Sequence, residues 1–115
     1  MRKRAFDNQM FPHFVKVYRI VIDDEFEGTK HEELIYKGIC RSFTNTTTDG
    51  DSKLVTNMRK TAIPIPDREM AQPILAGDII EVWKGKEYNI KEYGKVTDFK
   101  SANFGTEIFW LYGRN

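Results

Sequence analysis

Short stretches rich in β-branched and aromatic residues, separated by turn residues, most constrain what this chain can fold into. They follow one another at short spacing through the 115 residues, and hardly any segment carries the apolar period of a helix. The predicted strands are residues 13–22, 34–43, 53–65, 79–83, 88–91, 94–99 and 106–112. Six or seven such strands predict an all-β domain, a small antiparallel barrel or sandwich. At most one short helix is expected, over residues 67–72.

Chain length and charge indicate one soluble domain. Two halves would each be too small to bury enough apolar surface, so we expect a flexible arm over residues 1–12 and a single β-barrel domain over residues 13–115. The net charge is only +1, so the field of the whole protein does not attract nucleic acid or an anionic membrane. No apolar run approaches the ~20 residues that span a bilayer, and residues 5–9 do not form the apolar region of a secretory signal. We expect a cytoplasmic protein with no membrane partner.

The sequence contains no recognisable catalytic or metal-binding pattern. Its one cysteine, Cys40, excludes an internal disulfide and a cysteine-based metal cage within one chain, and we expect it in the core. Neither His13 nor His31 has a His or Cys at metal-ligand spacing, and the carboxylates of residues 23–27 lack the pattern of a calcium loop. No nucleophile motif or glycine-rich phosphate loop occurs. We expect no enzyme activity, no metal and no cofactor.

Two segments are candidate contact elements. Residues 44–51 are wholly polar and include the turn pair Asp49-Gly50, and the N-terminal arm combines basic side chains with large apolar ones that a solvated tail does not need. The candidate partner-binding residues are Arg2, Lys3, Arg4, Phe6, Phe11, Asn45, Thr46, Thr47, Thr48 and Asp49. An ordinary surface loop and a frayed terminus are the alternatives. The apolar residues of the arm could also cover the barrel of their own subunit.

A nucleic-acid-binding barrel is the alternative function, because small barrels bind single strands by stacking bases on aromatic side chains beside a basic groove. The last third of the chain has the required residue types. Its aromatic residues are Tyr88, Tyr93, Phe99, Phe104, Phe109, Trp110 and Tyr112, and its lysines include Lys84, Lys86, Lys91, Lys95 and Lys100. Half or more of these rings must be core in so small a domain, and acidic residues alternate with the lysines. Nucleic acid is therefore not the favoured partner.

Residues 74–90 carry a resemblance to a known family. Gly77-Asp78 precedes the apolar strand 79–83, and a short turn containing Gly85-Lys86-Glu87-Tyr88 leads into the next strand. This pattern resembles the head–tail connector, minor capsid or head-closure proteins of tailed bacteriophages. In that family the closing segment is a further strand near the C-terminus, as residues 106–112 are expected to be here.

The resemblance implies a structural subunit of a virion that is not an enzyme. Such a subunit takes part in head–tail joining: it assembles into a ring between the portal and the tail, closes the filled head and offers a surface for tail attachment. The implied partners are other virion proteins, on the portal or adaptor side and on the tail side, and further copies in a homo-oligomeric ring. The implied location is the cytoplasm of a bacterial host during assembly, and then the virion. An accessory domain of an enzyme is a third hypothesis.

Overall fold

A computed structural model of the chain describes residues 10–44, 47–48, 54–55, 58–102 and 105–113. The strands are β1 (His13–Asp24), β2 (Thr29–Thr44), β3 (Thr47–Thr48), β4 (Leu54–Val55), β5 (Met58–Ile63), β6 (Ile79–Lys84), β7 (Ile90–Ala102) and β8 (Gly105–Tyr112). A single turn of 3-10 helix occurs at Asp67–Glu69, and Lys86–Tyr88 forms a turn in which Glu87 and Tyr88 have positive φ. The prediction of a small all-β antiparallel domain is confirmed. No helix among these residues is long and apolar enough to cross a membrane.

Six strands form a closed antiparallel barrel. Around its circumference the order is β1, β2, β5, β8, β7 and β6, and β6 closes the barrel by pairing with β1. Two of the contacts are short: β1 pairs with β6 only over Phe14–Tyr18, and β2 pairs with β5 only over Arg41–Thr44. The strands β3 and β4 pair with each other in a separate two-stranded sheet.

Three details of the strands differ from the sequence prediction. The segments 88–91 and 94–99 belong to one continuous strand, β7, whose first half pairs with β6 and whose second half pairs with β8. The segment 53–65 contains two separate strands, β4 and β5. Gly38 makes a bulge plausible within the predicted strand 34–43, but the register between β1 and β2 shifts at Ile35 instead. Gly38 has another role, because a Cβ atom there would lie 2.7 Å from the Tyr36 hydroxyl.

The barrel interior is filled by alternate residues of its strands, as the period of a β-strand requires. Its fully buried apolar side chains include Val15, Val17, Cys40, Ile63, Ile74, Ile80, Val82, Ile108 and Trp110. The indole Nε1 of Trp110 donates a 2.8 Å hydrogen bond to Thr61 Oγ1, which also lies 2.8 Å from Ser42 Oγ. Cys40 lies in the core as predicted, and burial raises the pKa of its thiol.

The β1–β2 hairpin continues past the point where the barrel neighbours end. Beyond Tyr18, β1 has no partner other than β2 among the described residues, and before Arg41, β2 has no described partner other than β1. The turn of the hairpin is closed by Asp24, whose Oδ1 accepts hydrogen bonds from two backbone N–H groups. Gly28 adopts φ +71°, the positive value expected at this turn. We call residues 19–34 the acidic hairpin, for the charge described below.

Candidate protein-interaction surface

A buried ion pair anchors the base of the acidic hairpin to the barrel. Arg19 Nε donates to Asp78 Oδ1 at 2.8 Å and Arg19 Nη2 donates to Asp78 Oδ2 at 3.0 Å, a bidentate contact. The same Nη2 donates to the Pro73 carbonyl oxygen at 2.9 Å. The Asp78 side chain is 2% exposed and that of Arg19 is 23% exposed. The hydrogen bond to Asp78 raises the pKa of the Arg19 guanidinium further, so the guanidinium stays charged at any physiological pH.

The acidic hairpin exposes large apolar side chains. Ile20 and Ile22 are two residues apart on one face of β1 and are 43% and 61% exposed. Leu34 pairs in register with Tyr18 on the same face and is 55% exposed. Phe26, in the turn, is fully exposed. Such a contiguous apolar surface, combined with strand edges that have no described partner, is typical of a protein-interaction site.

The charge of the acidic hairpin is opposite to that of the rest of the chain. It contains six carboxylates, at residues 23, 24, 25, 27, 32 and 33, against Arg19 and Lys30, which gives −4. Because the whole chain carries +1, the remaining residues carry +5. His31 lies between two of the carboxylates, with Nδ1 2.8 Å from Asp23 Oδ1 and Nε2 3.3 Å from Glu33 Oε2. These hydrogen bonds raise the pKa of His31.

A second distinctive surface covers the outside of four strands at the other end of β2. We call it the basic face, and its residues are Arg41, Phe43, Lys60, Lys100 and Phe109. Phe43 pairs with Lys60 and Lys60 pairs with Phe109 across β2, β5 and β8. Lys60 Nζ lies 5.4 Å from the Phe43 ring centroid and 5.8 Å from that of Phe109, distances at which a cation is attracted to a ring.

The other two cations of the basic face also lie over its rings. The Arg41 guanidinium is 5.4 Å from the Phe43 centroid, and Lys100 Nζ is 5.7 Å from the Phe109 centroid. Glu107 lies between two of the cations, 3.2 Å from Lys60 Nζ and 3.6 Å from Lys100 Nζ. Exposed Asp98 pairs in register with Phe109. Three cations against these two carboxylates leave the surface positive.

A charged cluster occupies the inner side of the barrel at the end away from the acidic hairpin. Glu92 Oε1 lies 3.4 Å from Lys84 Nζ and 3.5 Å from Arg59 Nε, and all three side chains are mostly buried. His13 starts β1 nearby, and its Nδ1 accepts a 3.0 Å hydrogen bond from the Ser42 N–H. Burial, and secondarily the charge of Lys84, lowers the pKa of His13. Within the described ranges, no set of three or more His, Cys, Asp or Glu side chains is arranged to hold a metal ion.

Most of the contact residues predicted from the sequence lie outside the described residues. They are Arg2, Lys3, Arg4, Phe6, Asn45, Thr46 and Asp49. The backbone of Thr47–Thr48 forms β3, which pairs with β4. Phe11 is only 6% exposed, and it lines a small depression with Met10, Arg41 and Ala62. Phe11 therefore covers the barrel of its own subunit, one of the two roles expected for the apolar residues of the arm.

The aromatic side chains of the last third of the chain do not form a row of exposed rings in the described region. Trp110 is fully buried, and Phe99 packs against the core. Tyr93 and Tyr112 are each 39% exposed, with ring centroids 6.4 Å apart. Lys60 and Lys100 approach the Phe109 ring. Of the aromatic residues and lysines noted in the sequence, the basic face therefore contains Phe109 and Lys100.

The acidic hairpin was not among the sequence-predicted contact elements, although a signal for it exists. Residues 13–22 are apolar on both faces of the predicted strand. A strand in a barrel wall needs an apolar residue only at every second position, on the side that faces the interior. The apolar residues at the other positions, which include Ile20 and Ile22, therefore indicate a second covered surface.

Neither protein-family models nor curated proteins nor solved structures include a match to this chain.

Proposed function

We propose that this chain is an assembly protein that acts by protein–protein contact, and that its assembly is the head–tail connector of a tailed phage or prophage. The observation that carries the first part is the acidic hairpin, an anchored two-stranded element with exposed apolar side chains and strand edges that have no partner among the described residues. The second part is supported by the resemblance of residues 74–90 to connector and minor capsid proteins. Its partners on this proposal are the portal or adaptor proteins and the tail proteins of the same virion.

The acidic hairpin suits assembly because it offers two kinds of contact at once. A partner strand can add to the open edge of β1 or β2 through backbone hydrogen bonds. The side chains of Ile20, Ile22 and Phe26 can then lose their remaining exposure in an apolar pocket of that partner, which contributes about 1.5–3 kcal/mol for each fully buried large apolar side chain. Neither contact requires a catalytic group.

The direct test measures binding of the purified chain to the purified portal and tail-completion proteins encoded beside its own gene. We expect saturable binding to at least one of them. The double variant Ile20→Ser, Ile22→Ser should weaken it by about 10- to 100-fold, since each lost apolar contact of about 1.4 kcal/mol lowers affinity tenfold. Ile90→Ser is the matched control, because Ile90 is 53% exposed outside the acidic hairpin. The proposal fails if neither virion protein binds, or if the control and the double variant weaken binding equally.

A nucleic-acid-binding module is the second candidate, and the basic face is the observation that favours it. Its cations could contact phosphates. Its Phe rings are already covered by those cations, which leaves them poorly placed for base stacking. Fluorescence anisotropy of labelled single-stranded and double-stranded DNA separates the two candidates. Saturable binding that falls steeply with salt and is lost in Arg41→Glu, Lys100→Glu would favour this second candidate.

A further inference from the structure

We propose that the acidic hairpin of one copy docks on the basic face of a second copy of this chain. This inference rests on the proposed function and adds one specific partner to it. The first argument is charge. The acidic hairpin carries −4 and the rest of the chain carries +5, so the hairpin of one copy is attracted to the remainder of another copy. Lys16 and Lys91, elsewhere on the barrel exterior, each have a carboxylate neighbour of their own, Glu32 and Glu81. On the basic face Lys60 and Lys100 share the carboxylate of Glu107, and the cations outnumber the carboxylates.

The second argument is position along β2. Lys30 of the acidic hairpin and Arg41 of the basic face are near opposite ends of this strand, and a strand advances by about 3.3 Å per residue, which separates them by roughly 30 Å or more. The two surfaces of one copy therefore do not reach each other. Their complementary charges can be satisfied only by another molecule.

The third argument is that both surfaces also have apolar parts. Phe26 at the hairpin turn is fully exposed. The small depression lined by Met10, Phe11, Arg41 and Ala62 shares Arg41 with the basic face, and Met10 at its rim is 58% exposed. Phe26 of the neighbouring copy can pack against Met10 at the rim of this depression while the carboxylates of its hairpin face Arg41 and Lys100. Buried aromatic anchors surrounded by charged residues are the usual form of a specific interface.

A single contact between two different surfaces is heterologous, so after it one copy keeps a free basic face and the other copy keeps a free hairpin. Such contacts propagate until they close into a ring or continue as an open filament. They also lead to a test that a contact through only one of the two surfaces would not pass. Two variants that are each impaired in self-association should associate when mixed, provided that one has lysines in place of hairpin carboxylates and the other has glutamates in place of cations of the face.

The test uses the full chain and analytical ultracentrifugation over a concentration and salt series. The hairpin variant is Glu25→Lys, Glu27→Lys, in the exposed turn, and the face variant is Arg41→Glu, Lys100→Glu, where Lys100 is 63% exposed. We expect the unaltered chain to self-associate at low salt and to dissociate as salt rises. Each variant alone should weaken self-association by about tenfold or more. An equimolar mixture should restore it, because the two new lysines of the hairpin turn can face the two new glutamates of the basic face.

The control is Lys37→Glu, which reverses the charge of an exposed lysine of β2 outside the basic face, and it should leave self-association within about twofold. Circular dichroism of every variant verifies that it is folded. A monomeric unaltered chain at low salt overturns the inference, and so does a mixture that stays monomeric. If that monomeric chain still binds the portal or tail protein through Ile20 and Ile22, the proposed function stands and only the self-docking fails. Loss of single-stranded DNA binding by the face variant of a monomeric chain would assign the basic face to nucleic acid instead.

Discussion

Replacing Arg19 by Ala tests whether the buried ion pair fixes the acidic hairpin to the barrel. The substitution leaves the Asp78 carboxylate, 2% exposed, without its bidentate partner. Removing one member of a buried ion pair costs about 3–5 kcal/mol, because the other charge stays buried and uncompensated. The lower end applies here, since Arg19 is 23% exposed and the Leu75 N–H still donates to Asp78 Oδ2 at 2.9 Å.

We therefore expect Arg19→Ala to lower the free energy of unfolding by about 3 kcal/mol. For a domain of this size that corresponds to a fall in Tm of roughly 10–15 °C. Arg19→Lys should lower the free energy of unfolding by less, because lysine keeps the positive charge beside Asp78. It still destabilises the protein, because the planar bidentate contact and the hydrogen bond to the Pro73 carbonyl are lost.

Urea unfolding followed by tryptophan fluorescence measures these changes. Lys16→Ala is the matched control in the same strand, because Lys16 Nζ lies 3.9 Å from Glu32 Oε1 in an exposed pair that should contribute less than about 1 kcal/mol. If Arg19→Ala destabilises the protein no more than Lys16→Ala does, the ion pair does not anchor the hairpin and the reasoning is wrong.

Three further predictions concern single side chains. NMR titration should give His13 a pKa below 6.5 and His31 a pKa above 6.5. His13 should therefore lower the stability of the folded protein as the pH falls below 6.5. The stabilising contribution of His31 is complete at low pH and is lost as the pH rises through its raised pKa. Equal values would contradict both assignments. Gly94→Ala should lower the free energy of unfolding by more than about 3 kcal/mol, because its Cβ atom would overlap the Leu111 carbonyl oxygen. Gly28→Ala, which has open space around its Cβ position, should lower it by about 1 kcal/mol. Urea unfolding measures both changes. Cys40 should react with a thiol reagent only after denaturant is added, since burial raises its pKa, and fast labelling of the folded chain would show that the barrel opens there.

The sequence predicted those parts of the fold that depend on local pattern. The predicted strand 79–83 is part of β6, and its alternate residues Ile80 and Val82 are fully buried. The polar residues 23–30 between the predicted strands 13–22 and 34–43 indicate a turn, and Gly28 has the positive φ that such a turn requires. These outcomes follow because strand period and turn chemistry are decided by neighbouring residues.

The single strand β7 could not be recognised in this way. Its polar residues 91–93 look like a break between two strands. In the structure the side chain of Glu92 is on the inner side, where it neutralises Lys84 and Arg59 at the barrel end. A charged side chain can occupy an inward position there only because oppositely charged side chains of β5 and β6 surround it, and those residues are distant in sequence.

The acidic hairpin escaped prediction for a similar reason. Ile20 and Ile22 belong to the outward-facing apolar set of β1, opposite the buried Val15 and Val17, and the sequence does not tell where the cover from the neighbouring strand ends. It ends because β6 pairs with β1 no further than Tyr18. Exposure of the apolar side chains is thus set by the length of a strand about 60 residues later in the chain, which no local pattern contains.

The Gly-Asp pair that carries the resemblance to connector proteins has a physical role in positioning this hairpin. Gly77 adopts φ +96°, and its N–H donates to the Val96 carbonyl oxygen. That turn directs the Asp78 side chain into the barrel wall, where it binds Arg19 at the base of the acidic hairpin. A glycine followed by an aspartate is what this anchor needs, since the turn requires positive φ and the arginine requires a buried carboxylate. The sequence pattern and the proposed interaction surface therefore depend on one network, and a chain that shares the pattern should be examined for an arginine at the corresponding position of its first strand.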